Sequence, residues 1–214
     1  MPVLGPGRLG DVIAALRGGE VVAVPTDTVY GLAAMPDDAS AVRRLAELKR
    51  RPAEQPLQLL VSSIEALVPH LEDPAVLEVV RPFWPGPLTA IVRVRPGFAP
   101  EVVTPAGTVG VRQPADDLAL TLIEGCGGAL AATSANLHEE PPATTVEEVI
   151  ETFGEDLLIL DGGPRDGGVA STVVDLTVDP PRVLRVGPIT EAMLGIEERI
   201  EAAAPAPEEK TPDA

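Results

Sequence analysis

Apolar runs broken by glycine, proline and polar clusters give this chain a regular alternation of helix-period and strand-like segments. Leu9–Leu16 reads as a helix, followed by the buried strand "EVVAVP". Asp37, Asp38 or Ser40 supplies a cap for a second helix, with Val42, Leu45 and Leu48 on one face and Pro52 as the stop. A strand is expected at "PLQLLV" (56–61), then helical segments at 63–69 and 74–81. The rigid turn "WPGP" (84–87) leads into the strand "LTAIVRV". "TVGVR" (108–112) is a further strand, and "DDLALTLIEGCGG" a helix with a glycine stop. "GALAATSAN" (128–136) is a strand ending in small polar residues. In "TVEEVIETFG", Thr145 and Glu148 have capping-box spacing. Strands near 156–160, 172–177 and 182–186 precede a last helix over Thr190–Ile200. The tail has the composition of a disordered segment.

This alternation, with several adjacent strands late in the chain, points to an α/β fold with an open, mixed sheet covered by helices. There is no internal repeat and no dividing linker, so residues 1–202 are expected to form a single domain and 203–214 a disordered acidic tail. With 45% hydrophobic residues the chain has material for a core, and with only 2% aromatics that core must be Val, Leu, Ile and Ala. A formal charge of −17 opposes phosphate backbones over a screening length of roughly 8 Å, which argues against a general nucleic-acid binder while leaving room for a local basic pocket. The single cysteine, Cys126, excludes internal disulfides and a cysteine zinc cluster. No signal pattern and no apolar run approaching ~20 residues is present, so a soluble cytoplasmic protein is expected.

Neither GxGxxG after a strand nor GxxxxGK[ST] occurs. His70 and His138 lie far apart, without a visible acid partner or a GxSxG serine, which disfavours a His/Cys metal site and a Ser–His–Asp hydrolase. What remains is a recurrence of polar groups at strand ends: "PTDT", Arg112 after "TVGV", and "ATSAN". In α/β sheets ligands bind beyond strand carboxyl ends, so the three segments can converge. Each alone also serves as an ordinary turn or cap. Lys49, Arg50 and Arg51 form a cationic run in an acidic chain; they either complement a helix C-terminus or hold a polyphosphate. Gln58 sits in an apolar strand, either facing solvent at a sheet edge, the favoured reading, or pointing into a site. Four glycines within residues 162–168 are more than a hairpin needs and suggest a mobile flap or a close backbone approach to a ligand. Arg185 is another cation at a strand end.

Taken in order, "PTDTVYGL", "LKRRPAEQPL", "WPGPLT", "VGVRQP", "ATSAN", "STVVDL" and "VLRVG" resemble the YrdC-like family of threonylcarbamoyl-AMP synthases over about residues 20–188. The resemblance implies an open α/β sheet with a large, positively charged concave pocket. It also implies condensation of L-threonine, bicarbonate and ATP into threonylcarbamoyl-adenylate and pyrophosphate, the product passing to a separate transferase that forms t6A on tRNA. On this resemblance Lys49, Arg51, Ser134 and Asn136 are the catalytic tetrad around the ATP phosphates. Thr26, Arg112, Ser171 and Gln58 hold L-threonine, and Thr108 and Arg185 lie near the nucleotide. Magnesium is expected to be held mostly by the ATP phosphates, with little direct nucleic-acid binding. Thr26 becomes a hydroxyl reader and Tyr30 a pocket wall, Gly31 lets the chain turn away, and Asp27 has no settled role. Two departures stand out: Leu137-His138-Glu139 replaces Leu-Ser-Gly, and Arg185-Val186-Gly187 replaces Arg-Pro-Gly. The competing readings are a paralogue making another carbamoyl-type adenylate, and an RNA-binding module.

Overall fold

The computed structural model describes residues 2–49, 57–137, 140–166 and 168–196. Arg51, the His138-Glu139 departure and the 203–214 tail therefore lie outside the described residues. Among the described residues, ten strands join in one mixed sheet. In chain order they are β1 (Val3–Leu4), β2 (Val22–Val24), β3 (Gly31–Ala34), β4 (Gln58–Val61) and β5 (Leu88–Arg93). They continue with β6 (Thr108–Arg112), β7 (Ala129–Ser134), β8 (Leu158–Leu160), β9 (Thr172–Asp175) and β10 (Arg182–Arg185). Across the sheet the order is β1-β8-β2-β3-β7-β4-β6-β5-β9-β10. The helices are α1 (Leu9–Arg17), α2 (Ala39–Leu48), α3 (Ile64–Leu67), α4 (Asp117–Gly125) and α5 (Val146–Phe153).

Side-chain alternation divides the core into two layers. Ala23, Leu32, Leu59, Val109, Val111, Ala131 and Ile159 face one layer, which Val42 and Leu45 of α2 and Val149 of α5 complete. Val22, Val24, Ala33, Leu60, Leu130 and Leu158 face the other, with Val12 and Leu16 of α1 and Leu122 and Ile123 of α4. The helices α1 and α4 approach so closely that a side chain at Gly125 would meet Ile13 Cδ1 at 2.4 Å. Together they cover that face over β8, β2, β7 and β4. Where the same face continues across β6, β5 and β9, its outward positions are Thr108, Gly110, Arg112, Thr89, Ile91 and Val173, and they line a pocket rather than a second core.

Helix starts follow the sequence signals. Asp38 is the cap of α2, accepting from the backbone N–H of Ser40 and Ala41. Thr145 caps α5 by accepting from Glu148 N at 3.3 Å. The reciprocal half of the capping box is shifted toward the preceding residue: Glu148 accepts from the backbone N–H of Thr144 at 2.6 Å.

Several expectations are corrected. Gly31 does not turn the chain away; it opens β3, a strand absent from the sequence reading, and "PTDTVY" is the loop of an antiparallel β2–β3 hairpin. A side chain at Gly31 would sit 3.1 Å from Thr133 O, so glycine here serves the tight β3–β7 approach. The helical segment expected at 74–81 is a 3₁₀ helix over 74–78, with Pro74 at its start. The described part of the expected last helix is a set of turns over 191–195, closed at Gly195 with φ +66°. The two-residue β1 was too short to carry a pattern.

Candidate functional site

The hairpin loop 25–30 is built by Thr26. Its hydroxyl donates to Val29 O at 2.7 Å and accepts from the backbone N–H of Thr28 and Val29, both at 3.3 Å. Because that single proton is committed to Val29 O, the 3.1 Å contact between the Thr26 and Thr28 hydroxyls has Thr28 as donor. The Thr26 hydroxyl is thus spent inside the loop, and Thr26 lines the pocket as a fixed wall. The loop also places Asp27 and Thr28 against Arg112 at the end of β6.

Arg112 is 3% exposed. Its Nε donates to Gly86 O at 3.1 Å, Nη1 to Thr28 Oγ1 at 3.1 Å, and Nη2 to Asp27 Oδ1 in an ion pair. Three of its five N–H groups are so engaged, leaving donor capacity for an anion in the pocket. Burial pulls the guanidinium pKa below its ordinary value, Asp27 pushes it back, and Arg185 repels it. Asp27 therefore orients Arg112, the role the sequence left unsettled. Gly86 joins the arrangement through the "WPGP" turn, where a side chain would meet Phe83 O at 2.4 Å.

The pocket, about 260 Å³ in volume, collects the predicted residues Thr26, Gln58, Thr108, Arg112, Ser134, Ser171 and Arg185, with Tyr30 in its wall. Gln58 does not face solvent: β4 lies inside the sheet between β7 and β6, and Gln58 Oε1 accepts from Thr89 at 3.0 Å. The residues do not meet beyond a common carboxyl edge of parallel strands. In this mixed sheet no such edge exists, and the floor is a cross-strand row of Ala132, Gln58, Gly110 and Ile91 in the middle of a face. Thr108 shares a 2.7 Å hydroxyl contact with Thr104. Arg185 donates to Ser171 O from Nε at 3.0 Å and Nη2 at 2.9 Å, and burial lowers its pKa. Gly187 keeps this return path tight, since a side chain there would lie 2.4 Å from Ala170 O.

Beside the pocket, Lys49 follows the last turn of α2 with its residue only 5% exposed. Its Nζ donates to Ser134 O at 2.9 Å and Asn136 Oδ1 at 2.6 Å, with Ser134 Oγ at 3.4 Å. Ser134 Oγ also donates to Asn136 Oδ1 at 2.6 Å, and Asn136 Nδ2 is fixed by the carbonyls of Leu137 and Glu140. Three members of the expected tetrad thus form one hydrogen-bonded cluster.

The glycine-rich segment is tethered through its first half. Tyr30 Oη donates to Gly163 O at 2.9 Å and accepts from Gly162 N at 3.2 Å. Arg165 donates to Gly163 O, Thr26 O and Asp116, and stacks 6.0 Å from the Tyr30 ring centre. The close backbone approach served by Gly162 is to Pro25, whose Cγ would lie 2.7 Å from an added side chain. Sequence reasoning missed Thr28, Thr89, Thr104 and Arg165; a threonine inside the apolar run of β5 was the available signal for Thr89. Among the described residues, no group of three or more His, Cys, Asp or Glu gathers around one point, and Asp27 is paired with Arg112. This donor set does not fit a protein-held magnesium. No described helix is long and apolar enough to cross a membrane.

An α/β sheet with a polar, arginine-bearing pocket on one half-covered face defines the class. The chain belongs to the Sua5/YciO/YrdC family, described as "Telomere recombination", whose sequence profile matches residues 14–187. It is 46% identical over 176 residues to the threonylcarbamoyl-AMP synthase of Pyrococcus abyssi, covering 80% of this chain and 52% of that protein. It is 38% identical to a putative threonylcarbamoyl-AMP synthase of Mycobacterium tuberculosis, covering 83% of each chain. The chain thus spans about half the length of the first relative and most of the second. The P. abyssi Sua5 structure complexed with L-threonine superposes with a TM-score of 0.84 at 35% identity, over 91% of this chain and 61% of that one.

Proposed function

We propose that this chain is a cytoplasmic threonylcarbamoyl-AMP synthase, a nucleotidyltransferase that joins L-threonine, bicarbonate and ATP and supplies a tRNA transferase for t6A formation. The observation that carries the reading is the buried Arg112, held by Asp27 and Thr28 in a pocket lined by hydroxyls. A guanidinium with spare donors beside hydroxyl groups is suited to an amino acid carboxylate and its polar neighbours. A relative's structure carrying L-threonine, and relatives named for this activity, support the same assignment.

In this reading threonine's amine and bicarbonate form a carbamate, with loss of water. A carbamate oxygen then attacks the α-phosphorus of ATP, and the bond to the β-phosphate oxygen breaks to release pyrophosphate. Such a displacement needs positioning and cations on the phosphates more than a covalent nucleophile. Lys49, with Ser134 and Asn136, supplies an ammonium at a fixed point beside the pocket; Arg185 and Thr108 extend the polar surface. Arg51 enters this proposal by sequence alone. Any magnesium is proposed to arrive on the nucleotide's phosphates, and no step here runs through it. Pyrophosphate release from ATP that requires both threonine and bicarbonate tests the assignment; release that continues when either is omitted contradicts it.

A further inference from the structure

Between the threonine-side residues Gln58 and Ser171 lies Thr89, in the middle of the pocket floor and 4% exposed. Its hydroxyl donates to Gln58 Oε1 at 3.0 Å and contacts Ser171 Oγ at 2.8 Å. A hydroxyl carries one proton, and that of Thr89 is used on Gln58. The Ser171 contact then runs the other way, with Ser171 donating to Thr89. On its remaining side Ser171 Oγ faces Arg185 Nη2, itself a donor, at 3.4 Å. A chain of proton directions, Ser171 to Thr89 to Gln58, leaves Ser171 with lone pairs and no proton to offer the pocket.

We propose that Thr89 is a positioning residue for substrate selection: by fixing this chain it makes Ser171 an acceptor, which selects an amino acid bearing a hydroxyl donor on its side chain. This rests on the threonine reading above. Thr26 does not share this role, because its proton is spent on Val29 O and its lone pairs on the backbone N–H groups of Thr28 and Val29. The pocket is therefore divided, with donors at Arg112 and Arg185 for anionic groups and an acceptor at Ser171 for a substrate O–H group.

The test compares binding of L-threonine with that of its analogue in which fluorine replaces the hydroxyl, close in size but unable to donate, by isothermal titration calorimetry. Wild type should favour threonine by about tenfold, the scale of one neutral hydrogen bond. Thr89→Val frees the Ser171 proton, and the preference should fall to within about threefold. Thr89→Ser, which retains the hydroxyl, should restore it. Gln58→Leu should behave like Thr89→Val, while Gln58→Glu, still an acceptor, should keep the ratio. The Gln58 pair decides the matter if Thr89→Val loses its near-ultraviolet circular dichroism. A wild type without preference, an unchanged ratio in Thr89→Val or Gln58→Leu, or a collapse in Gln58→Glu overturns the proposal. Threonine preference without pyrophosphate release would refute the synthase reading and leave this one standing.

Discussion

Asp27 and Arg112 form an ion pair whose side chains are only 12% and 4% exposed, one on the β2–β3 hairpin loop and the other at the end of β6. Removing one partner leaves a charge in a poorly solvated place, which costs more than the pair contributes. Asp27→Ala should lower stability by about 2–4 kcal/mol in urea unfolding and raise the threonine KM at least tenfold. Asp27→Asn keeps an acceptor oxygen and should lose less in both. Equal effects of the two substitutions would show that the charge of Asp27, and not the acceptor oxygen that Asn retains, sets the orientation of Arg112.

Lys49 gathers Ser134 and Asn136 through one ammonium. Lys49→Met keeps the aliphatic stem and removes the charge, so kcat/KM for ATP should drop by about two orders of magnitude or more. Threonine binding without nucleotide should change little. A loss confined to threonine affinity would remove Lys49 from the phosphate side.

Gly110 sits in the floor of the pocket, where an added Cβ would lie 3.3 Å from Thr89 Cγ2 and 3.7 Å from Gln58 Cβ. Gly110→Val should fill the space above Gln58 and abolish threonine binding, with a lowered melting temperature because its Cβ crowds the buried Thr89, while near-ultraviolet circular dichroism shows the fold retained. Retained binding would show that the ligand sits elsewhere on the sheet.

Tyr30 Oη bridges Gly162 and Gly163, and its pKa is raised, chiefly by burial. Tyr30→Phe leaves both backbone groups without that partner, a cost of about 1–2 kcal/mol. Hydrogen exchange at Gly162 should accelerate, while exchange in α1 stays unchanged. Protection of Gly162 in the variant would mean that Arg165 alone holds the segment.

Two helix-capping carboxylates have depressed pKa values: Asp38, mainly through Ser40 Oγ, and Glu148, mainly through the Thr144 N–H. A carboxylate whose folded pKa is lowered stabilises above its unfolded value, and that stability disappears as pH falls through the folded one. Asp38→Asn and Glu148→Gln should therefore narrow the loss of melting temperature as pH drops from about 5 to 3, relative to wild type. An identical acid profile would assign that loss to other carboxylates.

Most regular elements were legible because their patterns are local: the period of α1, α2, α4 and α5, and the apolar runs of β4 to β7. The clustering of Thr26, Arg112, Ser134, Ser171 and Arg185 was legible only through motifs, since no local pattern says that β6 and β9 flank β5. β3 escaped because Gly31–Ala34 continues a polar loop without a break, and glycine beside alanines carries weak strand propensity. Gln58 was assigned to an edge because burial depends on strand order, which is a long-range property. Thr89 and Arg165 act through partners 31 to 139 positions away, as in the contacts to Gln58, Ser171 and Thr26, beyond the reach of spacing arguments.

The most direct measurement supplies ATP, L-threonine and ¹³C-labelled bicarbonate to the purified protein and identifies the adenylate product by mass spectrometry. The account predicts threonylcarbamoyl-AMP carrying the label, formed together with pyrophosphate and lost in Arg112→Ala. An adenylate without the label, or one formed equally well without threonine, would contradict it.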